Sequence, residues 1–87
     1  MELKKQYYAV VLELWKMFRE DIETIDGLNK VSPDQWDKIC SKYERFPIDK
    51  YPKNLHGYIN NMLLVHISEL EAICGDRLHL TWEHYRE

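Results

Sequence analysis

The most constraining feature of this sequence is an uninterrupted amphipathic stretch over residues 2–26. It contains neither glycine nor proline, and its apolar side chains recur every three or four residues, which is the period of an α-helix. Tyr8 and Leu12 lie outside the central stripe, and Gly27 stands where a left-handed residue commonly ends a helix. The sequence therefore predicts one long helix over 2–26. Its apolar stripe consists of Leu3, Tyr7, Val10, Val11, Leu14, Trp15, Met17, Phe18, Ile22 and Ile25.

Residues 32–45 carry the clearest signal for the start of a helix. Ser32 is suited to cap the helix N-terminus, Pro33 to occupy the first helical position, and Gln35 to complete a capping box. The apolar side chains that follow repeat at helical spacing, and the opposite face is polar. This segment therefore predicts a second, shorter helix. Its apolar stripe consists of Trp36, Ile39, Cys40 and Tyr43.

A third helix is predicted over residues 54–74, after a loop at 46–53 that contains two prolines. Each proline disfavours helix in the residue before it. Asn54 is placed to cap the third helix, and Gly75 to end it. Apolar residues occupy more than half of the circumference of this helix. We therefore expect it to be the central helix, packed by neighbours on several sides.

The last segment, residues 76–87, is compatible with either a short helix or an extended arm. The chain offers no second candidate strand, and a lone strand would leave backbone groups unpaired. A length of 87 residues is also typical of one domain. The sequence therefore predicts an all-α fold over the single domain 1–87. We expect a small helical bundle of three main helices with a short C-terminal helix or arm, in which the first and third helices form the main packed pair.

Composition and charge exclude several classes of protein. Hydrophobic residues make up 45% of the chain and charged residues 31%, with a net charge of −3, so the sequence is not that of a disordered acidic tail. No apolar run approaches the length that spans a bilayer, and no secretory signal is recognisable; we expect no membrane partner. Cys40 and Cys74 form no metal-binding or redox motif. They predict free thiols in a reducing compartment, and hence a cytoplasmic protein.

His66 is the polar residue whose position most suggests chemistry. It lies in the apolar arc of the third helix with Glu69 one turn away, and Asp21 lies in the apolar arc of the first helix. If these helices pack antiparallel, the Asp21 carboxylate and the His66 imidazole could meet as a general-base pair or part of a metal site. The alternative is a buried polar pair with a structural role. We expect that alternative, with no catalytic residue, no metal and no cofactor.

The predicted second helix has a basic face formed by Lys38, Lys42 and Arg45. Such a face could contact nucleic-acid phosphates, as the recognition helix of a helix-turn-helix module does. Acidic residues on the same helix oppose this interpretation, as does the isoelectric point of about 5.8. We therefore expect a solvated charged face, and nucleic acid to be an unlikely partner.

Aromatic residues make up 13% of the chain, more than three short helices can place in their centre. Tyrosine and tryptophan are enriched at the energetic centres of protein interfaces. The aromatic residues that fit least well into the core of a compact monomer are Tyr8, Tyr51, Trp82 and Tyr85. We therefore expect a non-enzymatic protein-interaction module, an accessory or regulatory protein that acts as a homodimer or with a larger protein partner. The alternative function is a small nucleic-acid-associated regulator that uses the basic face of helix 32–45.

Overall fold

The protein is an all-α bundle of three helices, as the sequence predicts. A computed structural model describes residues 2–78. Helix α1 spans Glu2–Asp26, α2 spans Pro33–Glu44 and α3 spans His56–Cys74. Short 3₁₀ turns connect and follow the helices, and the described part of the chain contains no strand. These turns are Ile48–Lys50, Lys53–Leu55 and Gly75–Arg77.

The start of α2 has the geometry that its sequence predicts. The Gln35 backbone N–H donates to the Ser32 hydroxyl over 3.1 Å, and the Ser32 backbone N–H donates to the Gln35 side-chain oxygen over 2.8 Å. These reciprocal bonds pair two of the N–H groups that a helix N-terminus leaves free. Pro33 occupies the first turn, where its missing N–H costs nothing.

The other helix ends differ in part from the expectation. α3 begins at His56 rather than residue 54, because Asn54 lies inside a 3₁₀ turn that starts after a proline, and no side chain caps α3. Gly75 ends α3 with a φ of 53°, a conformation that favours glycine. α1 ends at Asp26, but Gly27 does not take a left-handed φ. It closes the helix with ordinary turn hydrogen bonds.

α1 and α3 run parallel, so the antiparallel packing that was the condition for a meeting of Asp21 and His66 does not occur. Tyr7 contacts Tyr58 near the start of α3, and Phe18 contacts His66 farther along both helices. At the far end, the Arg77 guanidinium reaches the carbonyl oxygen of Ile25. The direction follows from the connectivity: two reversals, before and after α2, bring α3 back alongside α1 in the same sense.

The core lies along the line where the three helices meet. α1 buries Val10, Leu14 and Ile25, and the other two helices, together with the segments that precede them, supply the rest of the apolar interior. α3 is not enclosed on several sides as expected, because Leu64 is 66% exposed. Three helices around one core leave each of them an outer face. The remaining buried apolar residues are Val31, Trp36, Ile39, Tyr43, Leu55, Ile59, Leu63, Leu70 and Cys74.

One end of the bundle is closed by a contact that the sequence did not predict. Val31 and Leu78 form an isolated parallel bridge, and the Val31 N–H donates to the Arg77 carbonyl oxygen over 2.8 Å. The Arg77 guanidinium donates to the carbonyl oxygens of Ile25 and Leu28 over 3.0 and 3.1 Å, and to that of Ile73 over 2.9 Å. Arg77 therefore joins the C-terminal ends of α1 and α3. Beyond Leu78, the predicted helix or arm lies outside the described residues.

Among the described helices, none combines the length and apolarity needed to cross a membrane.

Candidate functional site

The interior of the bundle contains a charged side chain from α1. Asp21 is only 1% exposed, and its Oδ1 accepts a hydrogen bond from the ammonium group of Lys42 on α2. The Lys42 side chain remains about half exposed, so its stem bridges from the surface to the buried carboxylate. A buried carboxylate is costly unless it is paired with a cation. The Lys42 ammonium supplies that partner.

Two further polar side chains lie in the same part of the interior: Tyr43 lies beside Asp21, and His66 lies beside Tyr43. Asp21 Oδ2, Tyr43 Oη and His66 Nδ1 are buried, and none has a hydrogen-bond partner among residues 2–78. Burial, and then the nearby Asp21 carboxylate, raise the pKa of the Tyr43 hydroxyl. Burial lowers the pKa of the His66 imidazole. Both side chains are therefore held in their neutral forms around neutral pH.

The contacts of His66 are aromatic rather than ionic. Its ring stacks on Phe18 with centroids 4.3 Å apart and meets Tyr43 edge-on at 6.4 Å. Glu69 is exposed, and no hydrogen bond or ion pair joins it to His66 in the described part of the chain. Of the three residues that the sequence groups together, Asp21 and His66 both neighbour Tyr43, and Glu69 lies apart.

Sequence reasoning missed the two residues of α2 that complete this cluster. Lys42 belongs to the predicted basic face, and Tyr43 to the predicted apolar stripe. An unpaired acid in an apolar arc does signal that a cation must reach it. The helical pattern alone does not say which of the lysines does so, because that depends on how α1 and α2 are aligned.

A groove of about 390 Å³ opens beside the Asp21–Lys42 pair, between α1 and α2. Its other lining side chains are Thr24, Leu28, Gln35, Lys38 and Ile39. The groove is largely apolar with polar edges. The carboxylate at its wall is already engaged by Lys42, so the groove presents no unpaired charge from that pair.

One of the three cations on the basic face of α2 stabilises the fold. Lys38 and Arg45 are exposed, and neither forms an ion pair with a described residue. Lys42, between them, holds Asp21. The exposed Asp37 lines the same surface groove as all three cations.

The outer face of α1 presents a row of large apolar side chains to solvent. We define this outer face as Tyr8, Val11, Leu12 and Trp15, which are 59, 40, 64 and 53% exposed. The Lys4 ammonium lies 5.9 Å from the Tyr8 ring centroid, and the Arg19 guanidinium lies 5.5 Å from that of Trp15. These positions share one side of a helix, turned away from the core.

The four aromatic residues predicted to lie at an interface occupy different environments. Tyr8 belongs to the exposed outer face of α1. Tyr51 is half-buried: its hydroxyl donates to the Glu13 carboxylate, and its ring stacks on Phe46 at 6.0 Å. Burial, and then Glu13, raise the pKa of Tyr51 to about 12. Tyr51 therefore anchors the loop before α3 to α1, whereas Trp82 and Tyr85 lie outside the described residues.

Both cysteines are free thiols on the inner faces of their helices. Cys74 is buried and Cys40 is half-buried. Burial, and then the carboxylates of Glu44 and Asp37, raise the pKa of Cys40 to about 11. Burial also raises the pKa of Cys74, although the Arg77 charge opposes the shift. Thiols held in the neutral form are poor nucleophiles and poor metal ligands.

Metal-ligating residues do not converge within residues 2–78, where no group of three or more His, Cys, Asp or Glu side chains could hold an ion. No protein-family model, no curated protein and no solved structure matches this chain.

Proposed function

We propose that this protein is a non-enzymatic helical interaction module that binds a protein through the outer face of α1. The observation that carries the proposal is the exposure of four large apolar side chains in line on the longest helix. Single exposed apolar residues are ordinary on a protein surface. A contiguous row that contains both tryptophan and tyrosine is typical of an interaction site.

The charged residues beside this face suit a polar rim. Lys4 and Arg19 lie over the rings of Tyr8 and Trp15, where their aliphatic stems cover part of the aromatic surface. Side chains of this kind can move aside when a partner binds and remain in water at the edge of the interface. Because each apolar side chain is about half exposed, covering it contributes roughly 1 kcal/mol to binding.

A matched pair of leucines tests the location of the site. Leu12 on α1 and Leu64 on α3 are 64 and 66% exposed, so a glutamate at either position is solvated and should leave the bundle folded. We expect Leu12→Glu to abolish self-association in light scattering and partner retention in affinity capture, and Leu64→Glu to preserve them. Equal behaviour of the two variants, with unchanged helical circular dichroism, would contradict the proposal.

The aromatic residues near the C-terminus belong to the same proposal as an expectation from the sequence. We expect Trp82→Ala or Tyr85→Ala to weaken self-association or partner binding while the helices remain folded. An unchanged solution mass and unchanged partner capture would remove these two residues from the binding surface.

No second function is proposed for the basic face of α2, because the engagement of Lys42 by Asp21 leaves Lys38 and Arg45 beside the acidic Asp37. A nucleic-acid-associated role would show as binding to mixed DNA and RNA that weakens linearly on a logarithmic salt scale. The cytoplasmic location likewise stays an expectation. It is supported by the two free thiols, Cys40 and Cys74.

A further inference from the structure

We propose that the occupant of the outer face of α1 is a second copy of the same chain, whose α1 lies antiparallel to the first across a two-fold axis near Trp15. This inference rests on the proposed function and deepens it by naming the partner. The spacing of the residues on this side of α1 and the distribution of charge along the helix point to this partner.

The spacing of the residues along this side of α1 is symmetric about Trp15. Moving outward in either direction, the steps are four, three and four residues, so that the same side chains can meet after a two-fold rotation. Three- and four-residue steps are also those by which two helices pack along their length. The residues that follow this spacing are Lys4, Tyr8, Val11, Trp15, Arg19, Ile22 and Asp26.

The charges at the two ends of this row are opposite. Lys4 and Lys5 lie at its N-terminal end, and Glu23 and Asp26 lie at its C-terminal end; all four are exposed. Glu23 also pairs with Arg19 of its own helix over 3.4 Å. In an antiparallel pair, each basic end faces an acidic end of the partner subunit. In a parallel pair, like charges would face each other at both ends. Charge complementarity therefore selects the antiparallel arrangement.

A register centred on Trp15 sets the residues of this row opposite one another. It places Trp15 against the partner subunit's Trp15, Tyr8 against the partner subunit's Ile22, and Lys4 against the partner subunit's Asp26. Val11 then faces the aliphatic stem of the partner subunit's Arg19, and Ile22 offers only the part of its surface that its own core leaves uncovered. An isologous contact of this kind is the commonest way in which identical subunits associate. Because the axis repeats every contact, one row of side chains supplies both halves of the interface.

The size of the apolar face sets the expected affinity. Two copies of four half-exposed side chains bury a small apolar area, and its contribution is similar in size to the translational and rotational freedom lost on association. The charges at the two ends of the row then decide how strongly the chains associate. We therefore expect a weak dimer, so its mass should rise with protein concentration.

Reciprocal charge reversal tests the arrangement. The variants are Lys4→Glu/Lys5→Glu and Glu23→Lys/Asp26→Lys, each of which creates like charges at both ends of its own homodimer. We expect each variant alone to dimerise about tenfold or more weakly in sedimentation equilibrium, since four interfacial pairs become repulsive. An equimolar mixture of the two should recover dimers, because the ends of one variant complement those of the other.

Helical circular dichroism of both variants tests whether a weaker dimer results from unfolding of α1. Acidic residues near a helix N-terminus and basic residues near its C-terminus complement the helix dipole, so Lys4→Glu/Lys5→Glu should favour the helix. Glu23→Lys gains the same dipole term but loses the ion pair with Arg19. Leu64→Glu serves as the control for a general effect of surface charge, and we expect it to dimerise as the native chain does.

Disulfide cross-linking tests the direction of the two helices. We expect Lys4→Cys and Asp26→Cys to cross-link when mixed under mild oxidation and not when each is oxidised alone, because only the mixed pair brings two such positions together. A parallel dimer would cross-link each variant with itself. The native Cys40 and Cys74 contribute little background because burial raises the pKa of both thiols.

The outcomes separate this inference from the proposed function. A chain that stays monomeric while Leu12→Glu still abolishes capture of a different protein would overturn the second copy as occupant and leave the interaction module standing. A dimer unaffected by both charge reversals and by Leu12→Glu would overturn both. A dimer weakened by each reversal and restored by mixing, with cross-linking only in the mixed sample, establishes the antiparallel pair.

Discussion

At the scale of single residues, the ion pair between Asp21 and Lys42 allows the bundle to contain a charged carboxylate in its interior. Asp21 is nearly inaccessible to solvent, and the Lys42 ammonium reaches it from the surface. Removing the lysine would leave a buried carboxylate without a cation, which is among the more costly changes to a folded protein. Because the lysine side chain is half exposed, solvent would screen part of that cost.

We therefore expect Lys42→Met to lower the free energy of unfolding by about 1–3 kcal/mol. Asp21→Asn in the same chain should restore part of this loss, since the neutral amide no longer needs a cation. Urea unfolding of the two single variants and the double variant gives the coupling energy. Lys38→Met, on the same helix, is the control. A loss as large for Lys38→Met as for Lys42→Met would show that the effect is not specific to the pair.

His66 adds a pH dependence at the same scale. Burial lowers the pKa of its imidazole below the ordinary 6.5, and the rings packed against it are those of Phe18 and Tyr43. The imidazole of the unfolded chain binds a proton more readily than that of the folded chain. The free energy of unfolding therefore has its full value above about pH 6.5, and it falls as the pH drops toward the lowered pKa of the folded state.

We expect the native chain to lose stability as the pH falls below about 6.5, and His66→Phe to lose less. The slope should be smaller than the limit of about 1.4 kcal/mol per pH unit for one proton, because the ring is only partly desolvated. Tyr43→Phe keeps His66 and should keep the slope. Parallel stability profiles for the native chain and His66→Phe across this window would contradict the assignment.

At the scale of elements, the parallel arrangement of α1 and α3 brings two helix C-termini to the same end of the bundle. Their carbonyl oxygens carry partial negative charge, and several lack a partner within their own helix. Arg77 donates to carbonyl oxygens in the last turns of both helices, those of Ile25 and Ile73, and to that of Leu28 just after α1. One side chain therefore satisfies acceptors from α1 and α3 together.

We expect Arg77→Met to destabilise the protein by about 1–3 kcal/mol, since hydrogen bonds to a charged donor are lost from carbonyl groups that stay partly buried. Arg77→Lys should recover only part of the loss, because an ammonium lacks the planar arrangement of donors. Thermal or urea unfolding measures both. An Arg77→Met midpoint equal to that of the native chain would show that solvent replaces these bonds without cost.

The capping box of α2 shows what an element can determine alone. Ser32, Pro33 and Gln35 lie within four residues, and every contact among them is local. The start of this helix therefore follows from the sequence. Asn54, by contrast, has the right residue type for a cap but lies within the turn after a proline, where the backbone does not present the N–H groups of α3 to it.

At the scale of the whole molecule, the reactivity of the two cysteine thiols measures how often the bundle opens. Cys40 belongs to α2 and Cys74 to α3, on faces turned toward the core. Burial raises the pKa of Cys40 from 9.0 to about 11. Its thiolate fraction near pH 8 is then about 100-fold smaller than that of an ordinary cysteine.

We expect both thiols to react with iodoacetamide more slowly in the folded protein than in urea, Cys40 by about 100-fold. Their rates should rise together in destabilised variants such as Lys42→Met, because access then requires opening of the whole bundle. A Cys40 that reacts quickly in the folded state, while Cys74 stays protected, would show that α2 opens separately from α1 and α3.

The exposure of Tyr8 could be predicted from the sequence, whereas the contacts of Tyr51 could not. Tyr8 stands outside the stripe of α1 by its spacing alone, and it is exposed. Tyr51 has the same residue type, yet it is held by Glu13 and Phe46. Those partners come from α1 and from the loop itself. Their approach depends on the folding of the loop against the helix.

The sequence by itself determined the three helices, the start of α2, the end of α3 and the all-α class, because each depends on contacts within a few residues. The tertiary structure decided that α1 and α3 are parallel, that Lys42 rather than His66 meets Asp21, and that Arg77 joins two helix ends. Helical periodicity gives the direction in which a side chain points, but not which residue of another helix lies opposite. That partner is set by the lengths of the connections and by the packing of the core, to which the whole chain contributes.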